Sequence, residues 1–120
     1  MNSLKSSDLI LVKNAFREYY FKYNSLVETP ARINEREFGF RSFQTGMIRH
    51  LSFEDIRQVH AALLRDTPFD FYSSNAFYKS PANPMQEKGW KGADLIFDID
   101  AKDLGLPCQA SHRYEICANC

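Results

Sequence analysis

The sequence predicts a mixed α/β domain of the α+β kind, on three observations. Two stretches carry apolar residues at the three- and four-residue steps of a helix, and the segment between them alternates with the two-residue period of a strand. Two further aromatic or aliphatic runs follow, separated by a loop rich in proline and glycine. The order helix, hairpin, helix, strand, strand lacks the strand–helix alternation of a doubly wound sheet. With 120 residues, 44% hydrophobic and 14% aromatic, the chain suits a single domain over 1–120 with a core of ordinary size.

The first helix rests on Leu9, Val12, Phe16, Tyr19 and Tyr23, with Ser6 or Ser7 as N-cap and an end before Thr29-Pro30. The segment REFGFRSFQTGMIRHLSF reads as a hairpin. Phe38 and Phe40 share one face, Glu37, Gly39 and Arg41 the other, and Gln44-Thr45-Gly46 makes the turn. A second helix runs from Phe53 to about Leu64, capped by Ser52 with Asp55 at the capping-box position. Its apolar stripe is Ile56, Val59, Leu63 and Leu64, and Asp66-Thr67-Pro68 stops it. FDFYSSNAFY is the third strand, residues 81–92 are loop, and ADLIFDID (93–100) is the most strongly patterned strand.

Fifteen basic residues balance fifteen acidic ones, so no global positive field advertises nucleic-acid or anionic-membrane binding, although a local basic strip is still compatible with a nucleic-acid enzyme. No apolar run approaches the roughly 20 residues that span a bilayer, and the N-terminus lacks the apolar core of a signal peptide, which predicts a soluble intracellular protein with no membrane partner. The three cysteines all fall in the last thirteen residues, unlike a disulfide framework.

Two motifs carry chemistry. As a strand, ADLIFDID places Asp94, Ile96, Asp98 and Asp100 on one face, with the Asp98 and Asp100 Cα atoms roughly 6.5 Å apart. Two carboxylates this close repel, and a hard cation such as Mg²⁺ or Mn²⁺, which takes one or two protein carboxylates along with waters and phosphates, removes that cost. The alternative is that both aspartates open a solvated loop, 98–103. The second motif is Cys108-x3-His112-x4-Cys117-x2-Cys120, a Cys₃His set at the spacing of a tetrahedral zinc site. Four protein ligands leave no open position, so such a Zn²⁺ is structural. His50 and His60 read as a strand residue and a helix-flank residue without chemistry.

Together these segments resemble a known family. REF-x-F from Arg36, MIRHLSF from Met47, FYSSNAFY from Phe71, KGWKGADLIFDID from Lys88 and the Cys/His cluster occur in the order seen in the small catalytic subunit of archaeal and eukaryotic DNA primases, with the archaeal form the more similar. The resemblance runs from about Phe16 to Cys120. It implies the N-terminal portion of the archaeo-eukaryotic primase catalytic core with a zinc knuckle at its C-terminal end. It further implies two-metal nucleotidyl transfer from nucleoside triphosphates on a single-stranded DNA template, a heterodimer with a primase large subunit, and the archaeal cytoplasm (the nucleus in a eukaryote). Asp98 and Asp100 then correspond to the family's catalytic Mg²⁺ or Mn²⁺ ligands, and Cys108, His112, Cys117 and Cys120 to its Zn²⁺ ligands. Glu37 and Arg49 match positions lining the same cleft, where an ordinary surface ion pair is the simpler reading. Tyr72, Ser73 and Ser74 belong to a family motif and read as packing and hydrogen-bonding positions near the cleft.

The chain departs from the family in length. Family members run to roughly two or three times as many residues. Their third catalytic acid and the residues holding the incoming triphosphate come after the zinc motif. The expectation is therefore a fragment of a longer subunit or a short, inactive relative, with a zinc-stabilised, non-catalytic nucleic-acid or subunit-binding module as the alternative function. Protein purified without chelators is expected to carry about one zinc per molecule. Elemental analysis returning none would remove the zinc site.

Overall fold

Phe38 and Phe40 set the architecture, because burying both fixes the inward face of the strand that carries them. The computed structural model describes residues 5–100; the four zinc-motif residues Cys108, His112, Cys117 and Cys120 lie outside them. Helix α1 (Ser6–Tyr23) is followed by short 3₁₀ turns at Asn24–Leu26 and Ile33–Glu35. Strands β1 (Phe38–Ser42) and β2 (Gly46–Leu51), helix α2 (Ile56–Asp66) and strand β3 (Asp70–Ser73) come next. Strand β4 (Ala76–Tyr78), a 3₁₀ turn at Met85–Glu87 and strand β5 (Trp90–Ala93) complete the described fold. One antiparallel sheet has the order β2-β1-β3, and β4 and β5 form a separate antiparallel pair. The mixed α/β class follows. Among the described residues, no helix is long and apolar enough to cross a membrane.

The hairpin forms as the alternation predicts. The Ser42 hydroxyl accepts from the backbone N–H groups of Gln44 (3.1 Å) and Thr45 (3.3 Å), and Gly46 takes the positive φ of 78° that closes the turn. Phe38 meets Phe53 edge-on at 5.0 Å, and Phe71 lies beside both rings. With Ile33, Val59, Ala62 and Leu63 these residues form the core, and Tyr20, Leu51 and Ile56 pack at its margin.

Helix α1 is rotated relative to the expected stripe. Its inward residues are Leu9, Lys13, Phe16 and Tyr20, while Val12, Tyr19 and Tyr23 face outward with Ile10, Leu11 and Phe21. Tyr20 decides the rotation: its hydroxyl donates to the Pro68 carbonyl at 2.5 Å, and Phe16 packs edge-on against Phe43 at 5.2 Å. The helix starts at Ser6 itself, after Lys5, with no side-chain cap.

In α2 the cap is Asp55 rather than Ser52. The Asp55 carboxylate accepts from the N–H groups of Arg57 (2.9 Å) and Gln58 (3.3 Å), so the first helical residue is Ile56. The buried stripe is Val59, Ala62 and Leu63, and Leu64 turns outward. Thr67, buried and in the left-handed region at φ 44°, ends the helix before Pro68.

The later strands depart most from the sequence reading. FDFYSSNAFY breaks at Ser74-Asn75 into β3 and β4, which belong to different sheets. The last strand is Trp90–Ala93, partly inside the predicted loop, and pairs with β4. Residues 94–100 carry no regular secondary structure, and Leu95, Ile96, Phe97 and Ile99 are exposed. A run of strand-forming residues becomes a strand only where a partner strand lies alongside it, and among the described residues the pairing of this segment ends at Ala93. Asp98 and Asp100 thus sit in the exposed, irregular setting of the alternative reading.

The two leucines at the end of α2 test this packing. Leu63→Ala is expected to cost roughly 3 kcal/mol by emptying a buried site, and Leu64→Ala well under about 1 kcal/mol. Equal losses in urea denaturation would show that the stripe is assigned wrongly.

Candidate functional site

Arg36 and Glu37 enter β1 side by side, and their side chains serve different parts of the fold. Arg36 is buried. Its Nε donates to the Ala31 carbonyl (2.8 Å), Nη1 to the Ser74 carbonyl (2.8 Å), and Nη2 pairs with Asp94 at 2.8 Å. The guanidinium also lies 4.6 Å from the Phe77 ring centroid. This single fork joins the first sheet to the β4–β5 pair.

Glu37 is held by its backbone as well as its carboxylate. Its N–H donates to the Ser74 hydroxyl (3.0 Å), its carbonyl accepts from Ser74 N–H (2.8 Å), and that hydroxyl donates onward to the Ala76 carbonyl (2.7 Å). The carboxylate points at β2, where the pairing jumps from Phe40–Ile48 to Phe38–Leu51. Gly39 alone therefore faces both Arg49 and His50, which is a β-bulge. A Cβ on Gly39 would come within 2.8 Å of the Ile48 carbonyl oxygen, so the close approach needs glycine. His50 adopts the left-handed region at φ 62°, a conformation that costs a non-glycine residue on the order of 1 kcal/mol.

The bulge gathers donors on Glu37. Arg49 Nη2 donates to both carboxylate oxygens (3.0 and 3.2 Å), and the His50 N–H donates to Oε1 at 3.2 Å. The His50 ring nitrogen Nδ1 stands 3.1 Å from the same oxygen. The Lys88 ammonium lies 3.6 Å from Oε1. Burial by itself pushes the Glu37 carboxyl up, but the Arg49 hydrogen bond, the charges of Lys88 and Arg49, and the His50 N–H outweigh it, holding it below the usual carboxylate range.

Glu37, Gly39, Met47, Arg49, Tyr72, Ser73 and Ser74 line a cavity of about 190 Å³ beside this cluster. The Arg49 side chain is 49% exposed and uses only Nη2 in its hydrogen bonds within the described residues, so Nε and Nη1 remain for an anion entering from the cavity side. Glu37 and Arg49, which the sequence singled out, therefore meet, and Glu37 is a buried anchor rather than half of a surface pair. Tyr72, Ser73 and Ser74 line the same cavity, and Ser74 hydrogen-bonds the Glu37 backbone.

Two participants escaped the sequence reading. His50 read as an ordinary strand residue, since nothing in its spacing announces a bulge. Lys88 read as loop; its position at the head of KGWKGADLIFDID is the only trace in the sequence.

Asp98 and Asp100 sit on the exposed segment after β5. Its first residue is tied down: Asp94 pairs with Arg36, and its N–H donates to the Asn75 carbonyl at 2.8 Å. Four residues of chain keep the Asp98 Cα within about 14 Å of that of Asp94. Among the described residues, no three His, Cys, Asp or Glu side chains stand together as a metal site. Two exposed carboxylates two residues apart are nonetheless the donor set that a hydrated Mg²⁺ or Mn²⁺ accepts.

Glu37 ties stability to pH. Its depressed folded-state pKa means that its stabilisation is present above the unfolded carboxylate pKa and is lost as pH falls through the folded value. Glu37→Gln is expected to lower stability by roughly 2 kcal/mol at pH 7, with a much smaller deficit at acid pH where both forms are neutral. Urea denaturation at the two pH values checks this, and a deficit independent of pH would contradict it.

No family model matches the chain. Among curated proteins it is 47% identical over 117 residues to the DNA primase small subunit PriS of Nitrosopumilus maritimus, an alignment covering 98% of this chain and 31% of that protein. The PriS of Cenarchaeum symbiosum is 43% identical over 117 residues (98% and 32%), and that of Archaeoglobus fulgidus 41% identical over 109 residues (87% and 32%). The chain thus spans about a third of the length of these relatives. Over nearly its whole length the chain is similar to the N-terminal part of archaeal DNA primase small subunits.

Proposed function

We propose that this chain contributes part of the catalytic face of a primase small subunit that makes short primers on single-stranded DNA from nucleoside triphosphates, in partnership with a large subunit. The observation that carries the reading is the Glu37–Arg49 pair on the bulge: a buried carboxylate fixes one nitrogen of a half-exposed guanidinium and leaves its other edge to a phosphate in the cavity. Relatives 47% and 43% identical named as DNA primase small subunits support the same role.

In this reading Asp98 and Asp100 hold Mg²⁺ or Mn²⁺. When bound, the cations neutralise charge on the attacking hydroxyl and the departing pyrophosphate. The chain's own contribution is positional. Arg49 orients a phosphate of template or nucleotide, Glu37 keeps Arg49 in place, and the Arg36–Asp94 pair ties the root of the acidic segment to the same strand end. In the same reading Cys108, His112, Cys117 and Cys120 are the ligands of a structural Zn²⁺.

A second reading is a zinc-stabilised, non-catalytic module that binds nucleic acid or another subunit. The exposed apolar side chains of Leu95, Phe97 and Ile99 favour it, because they offer a contact surface rather than a catalytic one.

Primer synthesis by the full-length parent subunit separates the readings. Asp98→Asn and Asp100→Asn are expected to reduce it to background while leaving the fold intact. Arg49→Ala is expected to raise the KM for nucleotide or template roughly tenfold, the worth of one charge-assisted hydrogen bond of about 1.5 kcal/mol. A double Asp98/Asp100 variant working at the normal rate would sink the catalytic assignment. Residues 1–120 alone, with no third acid grouped beside Asp98 and Asp100 among the described residues, are expected to make no primers with Mn²⁺; products that vanish with Asp98→Asn would show a more complete site.

A further inference from the structure

A buried lysine needs a reason. The Lys88 side chain is 1% exposed, and its ammonium donates to the Pro81 carbonyl and, at 2.6 Å, to the Asn83 carbonyl. An ammonium has three donors, and Glu37 Oε1, 51 residues away in sequence, stands 3.6 Å from this one. The loop that Lys88 closes is the connection between β4 and β5. Its base is sealed by Lys79 N–H to the Gly89 carbonyl (2.8 Å) and Ser80 N–H to the Lys88 carbonyl (2.9 Å). Its tip carries Met85, whose sulfur stands 4.0 Å from Arg49 Nη2. One side chain therefore pins the loop from inside and aims its charge at the carboxylate that holds Arg49, while the loop tip touches the same guanidinium from outside.

A lysine serving only to tie a loop does not need to sit against a buried carboxylate, since a neutral donor closes a ring of backbone carbonyls without the desolvation cost of a charge. We infer that Lys88 is a positioning residue of the Glu37–Arg49 site: it couples the 81–88 loop to Glu37, and so fixes both the Arg49 guanidinium and the Met85 wall beside it. The charges agree. Lys88 and Arg49 bracket a single carboxylate, so the cluster of these three side chains carries an excess positive charge next to the cavity. The inference rests on the reading of Arg49 as a phosphate contact for its kinetic consequence, but not for its structural one.

The test uses the full-length subunit carrying this sequence, with methionine methyl groups labelled for NMR and Met85 assigned through Met85→Leu. Lys88→Met is expected to shift the Met85 methyl resonance and to raise the same KM as Arg49→Ala by a comparable factor, roughly tenfold, with kcat within about twofold. Combining the two substitutions is expected to cost clearly less than the product of their separate effects, since both act through one guanidinium. An unmoved Met85 methyl with unchanged KM, or strictly multiplicative effects, would overturn the inference and leave Lys88 a loop tie.

If Arg49→Ala itself leaves every KM unchanged, the phosphate reading of Arg49 fails. Lys88 is then judged on the Met85 resonance and on the stability coupling between Lys88→Met and Glu37→Gln. If Lys88→Met does not fold, the double variant Lys88→Met/Glu37→Gln, which removes both charges together, is expected to recover folding; failure to recover counts against the coupling.

Discussion

The fork of Arg36 is the constraint on which the other elements depend. A guanidinium removed from water must find acceptors for its donors, and here they come from the approach to β1, from the Ser74 turn and from the residue that follows β5. Those acceptors flank strands of both sheets, so satisfying one side chain ties the two sheets together. The chain cannot move β5 away from β1 without stranding a buried charge. Phe77, with Arg36 on one contact and Arg32 at 4.2 Å on another, fills the space that the fork leaves. Glu37, next in sequence, inherits that rigidity, and its carboxylate is carried to the bulge by a backbone already clamped by Ser74.

The site then follows from charge balance. A lone buried carboxylate takes up a proton; Glu37 stays ionised because two cations and a backbone N–H surround it. The cations are unlike in freedom. Lys88 is enclosed and spends its donors on the protein, whereas Arg49 is half open and keeps donors for something else. That asymmetry separates a structural charge from one able to meet a ligand. It also explains how a chain with no net charge can present a locally positive cavity.

What was legible in the sequence was what is local. The β1–β2 hairpin was read correctly because its turn, alternation and aromatic pair lie within a few residues of one another, and the Glu37–Arg49 pairing came from motif order. Helix α1 was misread by one residue of rotation, since Ile10, Leu11, Val12 and Phe21 make its surface apolar on several sides and the choice falls to Tyr20 bonding Pro68, 48 residues on. The Ser74 break was invisible because a serine pair in an aromatic run looks like strand until Glu37 is seen to occupy its hydrogen bonds. ADLIFDID has strand composition, yet composition supplies no partner strand, and past Ala93 the described residues supply none either. Lys88 was hidden because a loop lysine takes its meaning from a carboxylate 51 residues earlier.

The bulge at Arg49–His50 has a consequence for the length of β2. Ile48 sits opposite Phe40, and Leu51 opposite Phe38, so an uninterrupted ladder would need one intervening residue where the chain has two. A hairpin shortened by His50 would keep Ile48, Arg49 and Leu51 on their present faces, pair without a defect, and be relieved of a left-handed backbone. Judged as a sheet, that shorter strand is the better one. It would lack the amide and the imidazole nitrogen that now converge on Glu37 Oε1. The surplus residue is thus an accommodation of the ladder to the carboxylate, and strand length here is set by a side chain on the neighbouring strand.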